Sequence, residues 1–303
     1  MPELPEVESL RRHLVKRGLV SRTITGVTIA RAATIQTPDV RAFEKGVTGR
    51  RIEAFDRRGK YLLLRLNGPT LIVHLRMTGK LEMVPARARP DPRTRVSFAL
   101  DAGQGLRFTD WRSLGKVWLV EDPETVIGKL GPEPLGPNFT LAYVRSALAR
   151  PRAVKPLLLD QAAFAGVGNL YADEILWRAK VHPLRLASEL SLREAGLIYT
   201  GTRALLERAT EVLERGLNEG AEFRAENGRG ARRGGGDDQT HEVFQVGRGK
   251  GDRCPRCGTA IANMRVGGRG TYFCPHCQVL RRRNKVRTGL VPSPRLTREI
   301  VSA

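Results

Sequence analysis

The sequence predicts an α+β chain: an N-terminal helix plus an antiparallel β-sandwich, then a helical domain, then a small C-terminal hairpin closed on four cysteines. Three observations carry this reading. Short β-branched runs recur between residues 22 and 120, and apolar positions repeat at helical spacing between 141 and 217. All four cysteines lie within residues 254–277.

Taken in order, residues 2–18 place Leu4, Val7, Leu10, Leu14 and Val15 on one helical stripe, with Pro2 and Pro5 at its start and Gly18 at its end. The strand-like runs are 23–29, 51–55, 60–66, 70–75, 80–84, 96–100, 106–109 and 116–120, with residues 101–105 as a hairpin turn. So many short strands at that spacing suggest a sandwich. Beyond Gly131-Pro-Glu-Pro the period changes, and helices are expected over 141–148, 154–161, 171–179 and 192–217. Ser191 and Glu194 form a capping box for the last of these. A glycine-rich turn, 165–170, separates two of the helices. The resulting division is 2–131, 132–220, a Gly/Arg-rich loop over 221–250, the cysteine hairpin over 251–280 and a basic tail over 281–303.

Composition narrows the function. A chain of 303 residues has room for two ordinary domains, and 41% hydrophobic residues exclude disorder throughout. No run approaches the ~18 apolar residues of a membrane helix, and Met-Pro-Glu-Leu-Pro-Glu is not a signal peptide, so a soluble cytosolic protein is expected. The net charge of +21 and sequence pI near 10.9 point to a polyanionic partner. Nucleic acid is the first choice, although a membrane surface or a ribosome would use the same charge. Aromatic residues at 6% argue against reading single strands by base stacking. The cysteines, Cys254, Cys257, Cys274 and Cys277, spell C-x2-C-x16-C-x2-C, which brings two tight thiolate turns to one tetrahedral zinc ion. Disulfides do not suit a cytosolic protein, and a redox pair needs only one C-x2-C.

Pro2, Glu3 and Glu6 share one helical turn at the N-terminus. Proline at the start of a helix and acids on its dipole explain that cluster without any chemistry. A second reading notes that removal of Met1 leaves proline as a free secondary amine. Such an amine can condense with an aldehyde carbon to an iminium ion, with a neighbouring carboxylate as general acid and base.

Six motifs in register now coincide with one family. Pro2-Glu-Leu-Pro-Glu-Val-Glu8, Arg58-Gly-Lys-Tyr-Leu62, Gly131-Pro-Glu-Pro-Leu135, Lys155-Pro156, Gly166-Val-Gly-Asn-Leu-Tyr-Ala172 and Gly270-Thr-Tyr-Phe-Cys-Pro-His-Cys-Gln278 resemble the bacterial formamidopyrimidine-DNA glycosylases, over nearly all of residues 2–278. Leu4 favours this branch over the pyrimidine-directed endonuclease VIII group, where glycine is usual.

The resemblance implies a base-excision-repair enzyme acting on double-stranded DNA with damaged bases or abasic sites. It implies a monomer, cytoplasmic and nucleoid-associated, with one structural zinc ion and no membrane partner. Pro2 would attack C1′ of the damaged nucleoside, and Glu3 would protonate the opening sugar. Lys60 would serve β-elimination and phosphate contact. Arg269, near the tip of the zinc hairpin, would serve δ-elimination and clamp phosphate. The 166–170 turn resembles a helix–two-turn–helix, in which Asn169 and backbone amides hold phosphate beside Lys155. Arg150 and Arg93 stand where basic or histidine DNA contacts are usual, and Glu6 and Tyr171 are supporting residues.

A glycosylase must turn its base out of the helix, so a wedge is needed. Met77 and Arg112 match two members of the family's set. Leu114 replaces a phenylalanine, because Trp111-Arg-Ser-Leu114 departs from the usual Pro-Arg-Arg-Phe. Residues 221–246 depart further, with Val246 near a common tyrosine position. The rival from another class is a zinc DNA-binding protein that kept the fold and lost the chemistry; an endonuclease VIII-like lesion choice is the other alternative.

Overall fold

The computed structural model describes residues 1–220, 243–246 and 251–280. The tail expected over 281–303 lies outside these residues, as does most of the expected Gly/Arg-rich loop. Helix α1 (Leu4–Lys16) is followed by β1 (Ile24–Ile29), β2 (Ile35–Thr37), α2 (Val40–Val47), β3 (Ile52–Arg58), β4 (Tyr61–Leu66) and β5 (Thr70–His74). Next come β6 (Gly79–Pro85), β7 (Thr94–Leu100), β8 (Gln104–Asp110), β9 (Lys116–Val120) and the short α3 (Glu124–Ile127). The helical part comprises α4 (Leu141–Leu148), α5 (Val154–Leu158), α6 (Asn169–Arg178) and α7 (Leu192–Asn218). A hairpin of β10 (Ala262–Val266) and β11 (Arg269–Phe273) is the last of these elements among the described residues.

One sheet runs β1-β7-β8-β6 and the other β2-β9-β5-β4-β3. Their facing side chains, among them Phe98 and Phe108 from the first and Leu62, Leu64 and Val73 from the second, share one apolar core. Alternation along β4 sends Leu62 and Leu64 into this core, while Leu63 joins Ile72 and Ile127 on the opposite face. The sandwich is therefore as expected in its layers but not antiparallel throughout, since β2 runs parallel to β9. That short strand and α2 were not legible: three residues carry too little pattern, and α2 begins only where the Asp39 carboxylate caps two amides.

Helix α1 joins two cores. Val7, Leu10 and Leu14 pack on the sandwich, whereas Leu4 belongs to the core built by α4–α7. Val15, expected in the same stripe, is half exposed, because it falls beyond the arc that both cores cover. The polar side of α1 meets α7 through Glu214, which accepts from Arg12 (3.2 Å) and Lys16 (2.5 Å). The Ser191–Glu194 capping box at α7 is present, with reciprocal bonds of 3.2 and 2.8 Å. Among the described residues, no helix is long and apolar enough to cross a membrane.

Candidate active site and zinc centre

The turn before α6 builds the centre of the site. Gly166 has φ +84°, and its carbonyl accepts the Leu4 N–H at 3.0 Å. A Cβ on Gly166 would strike Leu4, and one on Gly168 would overlap the Glu3 carboxylate, so only glycine lets the start of α6 come this close. Glu3, 2% exposed, then accepts the first free amides of α6, from Leu170 (3.0 Å) and Tyr171 (3.4 Å). The Glu3 N–H donates to Glu6 Oε2 at 2.9 Å, and the Tyr171 hydroxyl donates to Glu6 Oε1 at 3.0 Å. Burial and the neighbouring Glu3 carboxylate push Glu6 up to about 7. Burial also raises the Tyr171 phenol, which therefore remains a donor. Pro2 is buried beside this pair.

Lys60 reaches the same place from the β3–β4 turn and is only 5% exposed. Gly59, at φ +57°, shapes the turn and donates its N–H to Glu133. Arg57 binds the Gly59 carbonyl (3.0 Å), Glu133 (2.7 Å) and Glu8 (3.0 Å). Burial lowers the Lys60 ammonium, Glu3 and Glu6 oppose that, and Arg269 lowers it further. Pro2, Glu3, Glu6, Lys60 and Tyr171 thus converge, with Arg269 near enough for its charge to be felt.

Sequence reasoning missed His74. It is buried at the end of β5, and its Nδ1 accepts the Arg76 N–H at 3.0 Å. Its other ring nitrogen must then carry the proton. Burial, Arg76 and Lys60 lower this imidazole to about 3, so it is a neutral donor. A lone histidine in a strand gives no sequence signal; only the approach of the Lys60 turn does.

Met77 (37% exposed), Leu114 (40%) and Arg112 stand together at the surface. Buried Asp110 staples their two loops, accepting from the Thr78 hydroxyl, the Arg112 N–H (3.2 Å) and the Gly115 N–H (2.7 Å). Arg93 is exposed beside them: its carbonyl accepts the Asp110 N–H (2.9 Å) and its guanidinium folds onto Asp91 (2.8 Å). Arg150 is exposed, 3.6 Å from Asp160.

Lys155 corrects an expectation. It is fully buried rather than open to phosphate, and it binds Asp173 (2.7 Å), the Thr271 hydroxyl (2.8 Å) and the Gly270 carbonyl (3.2 Å). Asn169 donates to the same carbonyl at 2.9 Å, and Asp173 accepts the Tyr272 N–H at 3.0 Å. The reason is positional: α5 faces inward against β11, so these three side chains dock the hairpin that carries Arg269. A Gly267-Gly268 turn, both at positive φ, leaves Arg269 exposed at the start of β11.

The sulfur atoms of Cys254, Cys257, Cys274 and Cys277 all lie within 4.8 Å of one another. The Cys254–Cys277 and Cys257–Cys274 separations are 4.0 and 3.4 Å, against about 3.8 Å for thiolates at 2.3 Å from a tetrahedral zinc ion. The donor set fits one structural zinc. Trp177 on α6 donates its Nε1–H to Cys254 Sγ at 3.4 Å, and the Arg256 guanidinium lies 4.0 Å over the same indole. Gln278 accepts from the Cys274 N–H and donates to the Val181 carbonyl, both at 2.9 Å. The centre is thereby keyed to the helical domain.

Comparison with known proteins agrees with this architecture. Residues 1–117 match the formamidopyrimidine-DNA glycosylase N-terminal domain, 130–220 its H2TH domain, and 251–279 the zinc finger found in FPG and IleRS. A formamidopyrimidine-DNA glycosylase of Pelotomaculum thermopropionicum is 42% identical over 285 residues, covering 92% of this chain and 99% of the relative. The Lactococcus lactis FPG (MutM) solved with FAPY-dG-containing DNA matches with a TM-score of 0.79 and 31% identity, over 91% of this chain and 100% of its own. A MutM structure with carbocyclic 8-oxo-G-containing DNA gives 0.79 and 32%, over 92% and 100%. With its sandwich, its glycine-gripped glutamate and its four-cysteine hairpin, the chain belongs to the formamidopyrimidine-DNA glycosylase family.

Proposed function

We propose that this protein excises oxidised purines, formamidopyrimidines and 8-oxoguanine, from double-stranded DNA and then cleaves the abasic site by β,δ-elimination. The observation that carries the reading is the convergence of Pro2, Glu3 and Lys60 at the start of α6. The solved relatives hold DNA with FAPY-dG and 8-oxo-G, which supports the substrate class.

Once Met1 is removed, the Pro2 nitrogen has a free lone pair. It attacks C1′, the bond from C1′ to the base breaks, and the base leaves with the electron pair. Glu3, oriented by the Leu170 and Tyr171 amides, takes the proton that Pro2 sheds once the N–C1′ bond has formed and delivers it to O4′ as the C1′–O4′ bond breaks, opening the sugar ring to the iminium ion. Glu6, bonded to the Glu3 N–H, fixes the Pro2–Glu3 peptide and holds a proton near neutral pH. Loss of the C2′ proton breaks the C3′–O bond, and a second elimination breaks the C5′–O bond. Lys60 and Arg269 carry these steps and neutralise the flanking phosphates. Zinc takes no part in the chemistry and holds the hairpin that presents Arg269. The 2–131 part supplies Pro2, Glu3 and Lys60, while 132–220 grips the duplex together with 251–280, which adds Arg269.

Borohydride reduction on an abasic-site duplex tests this directly. Protein shown by mass analysis to lack Met1 forms a covalent adduct, and Glu3→Gln protein excises at least 100-fold more slowly, the usual range for losing a general acid–base group. Intact DNA binding with no adduct would instead establish the non-catalytic reading. Leu114 offers less stacking than phenylalanine, so single-turnover excision is faster for ring-opened purines than for well-stacked 8-oxoguanine opposite cytosine. Equal rates would show that Leu114 is no handicap.

A further inference from the structure

Trp111 has no role in what precedes. At 58% exposure it is the one open aromatic among the described residues, the others being buried or half-buried. Its indole makes no ring contact or hydrogen bond with the rest of the described fold. The turn that carries it is nonetheless fixed. Asp110 holds the Arg112 and Gly115 amides by its carboxylate and the Ser113 amide by its carbonyl (3.2 Å). Ser113 sits at φ +53°, and Gly115 has no room for a Cβ against Phe108. None of these contacts uses the indole, so folding does not require tryptophan here.

The surroundings say what such a side chain meets. Arg112 follows it directly, Leu114 is three residues on, and Met77 is tied alongside because the Arg112 N–H also reaches the Thr78 hydroxyl at 3.3 Å. Arg76 adds a second exposed cation on the neighbouring loop. An exposed indole among apolar wedges and arginines suits a ligand with both a flat π-face and negative charge. Intact duplex DNA covers its base faces by stacking, and a face opens only where a nucleotide has been turned out.

We propose that Trp111 stacks on the base face that opens when the damaged nucleotide leaves the helix, supplying the aromatic contact that Leu114 cannot. This rests on the glycosylase reading above and adds a specificity-determining residue to it. The contact forms only after extrusion, so it favours the turned-out state rather than DNA in general.

The test compares an undamaged duplex with one carrying a tetrahydrofuran abasic analogue, at fixed salt. Trp111→Ala weakens binding to the abasic duplex roughly 5- to 100-fold, the range for losing one base–aromatic stack. It leaves undamaged binding little changed, and Trp111→Phe retains most of the affinity. The salt slope is unaltered by Trp111→Ala, whereas Arg112→Ala lowers it by about one if Arg112 touches phosphate. Emission present in the unsubstituted protein but absent from Trp111→Phe protein is quenched by the abasic duplex. Removing the indole also widens the preference for ring-opened purines over 8-oxoguanine. Equal losses on both duplexes, or no loss on either, would overturn the proposal and leave the indole a surface for some other partner. Adduct formation by the unsubstituted protein reports on the glycosylase reading separately.

Discussion

Lys155→Met removes a buried cation while nearly keeping its volume. Asp173, also buried, then retains the Tyr272 N–H but loses the ammonium 2.7 Å away, the Thr271 hydroxyl loses its donor, and the Gly270 carbonyl keeps only Asn169. Breaking a buried pair by deleting one partner costs about 3–5 kcal/mol. The helical domain and hairpin together hold roughly 120 residues, so at about 2.1 cal/mol/K each the unfolding entropy is near 0.25 kcal/mol/K, and Tm falls by roughly 12–20 °C. Burial already raises the Asp173 carboxyl to about 7, and loss of Lys155 raises it further. Asp173 therefore takes up a proton in acid, and the penalty grows as pH rises, by at most about 1.4 kcal/mol per unit. Calorimetry at pH 6 and pH 8 measures both effects. Lys155→Met/Asp173→Leu, which removes both charges, recovers part of the loss. A Tm change under about 2 °C, with a DNA-binding salt slope reduced by about one, would refute this account and make Lys155 a phosphate contact after all.

Two further outcomes follow from the same geometry. The folded chain holds the Glu6 proton up to about 7 and the unfolded chain only to about 4.5, so the folded state binds the extra proton between these values and stability falls as pH rises through them. Glu6→Gln should abolish that slope, read from urea midpoints at pH 5 and 8, and remove the limb near pH 7 from the excision profile; an unchanged slope would contradict it. Cys254→Ser or Cys277→Ser should release zinc, shift Trp177 emission and weaken binding to damaged DNA, while the sandwich keeps its own unfolding transition. Collapse of the whole molecule would show that the hairpin is not a local module.

The layers, the long helices and the zinc ligands were legible because each rests on local pattern: period-2 runs, a capping box, a pair of C-x2-C turns. The convergence of Pro2, Glu3 and Lys60 was legible only through family resemblance, since nothing local relates residue 3 to residue 60. Lys155 shows where pattern misleads. In a chain of +21, a lysine ahead of a glycine-rich turn reads as a phosphate ligand, yet its partner Asp173 stands 18 residues on, and only the docking of β11 makes the pair. His74 and Asp110 were passed over for a related reason, and Glu133 entered only as part of a motif. Each acts by receiving or giving a hydrogen bond from a loop distant in sequence, and such an acid or imidazole looks like any other until the loop arrives.

The grip of α6 on Glu3 has a consequence for when this protein becomes dangerous to DNA. Proline and glutamate are the second and third residues made, but the amides that orient the glutamate belong to residues 170 and 171, and the exposed arginine of the hairpin comes a hundred residues later. A chain interrupted during synthesis, or clipped between its halves, would carry Pro2, the proposed nucleophile, and Glu3 without the amides that hold the glutamate. On the proposed chemistry, such fragments should therefore lack strand-cutting capacity.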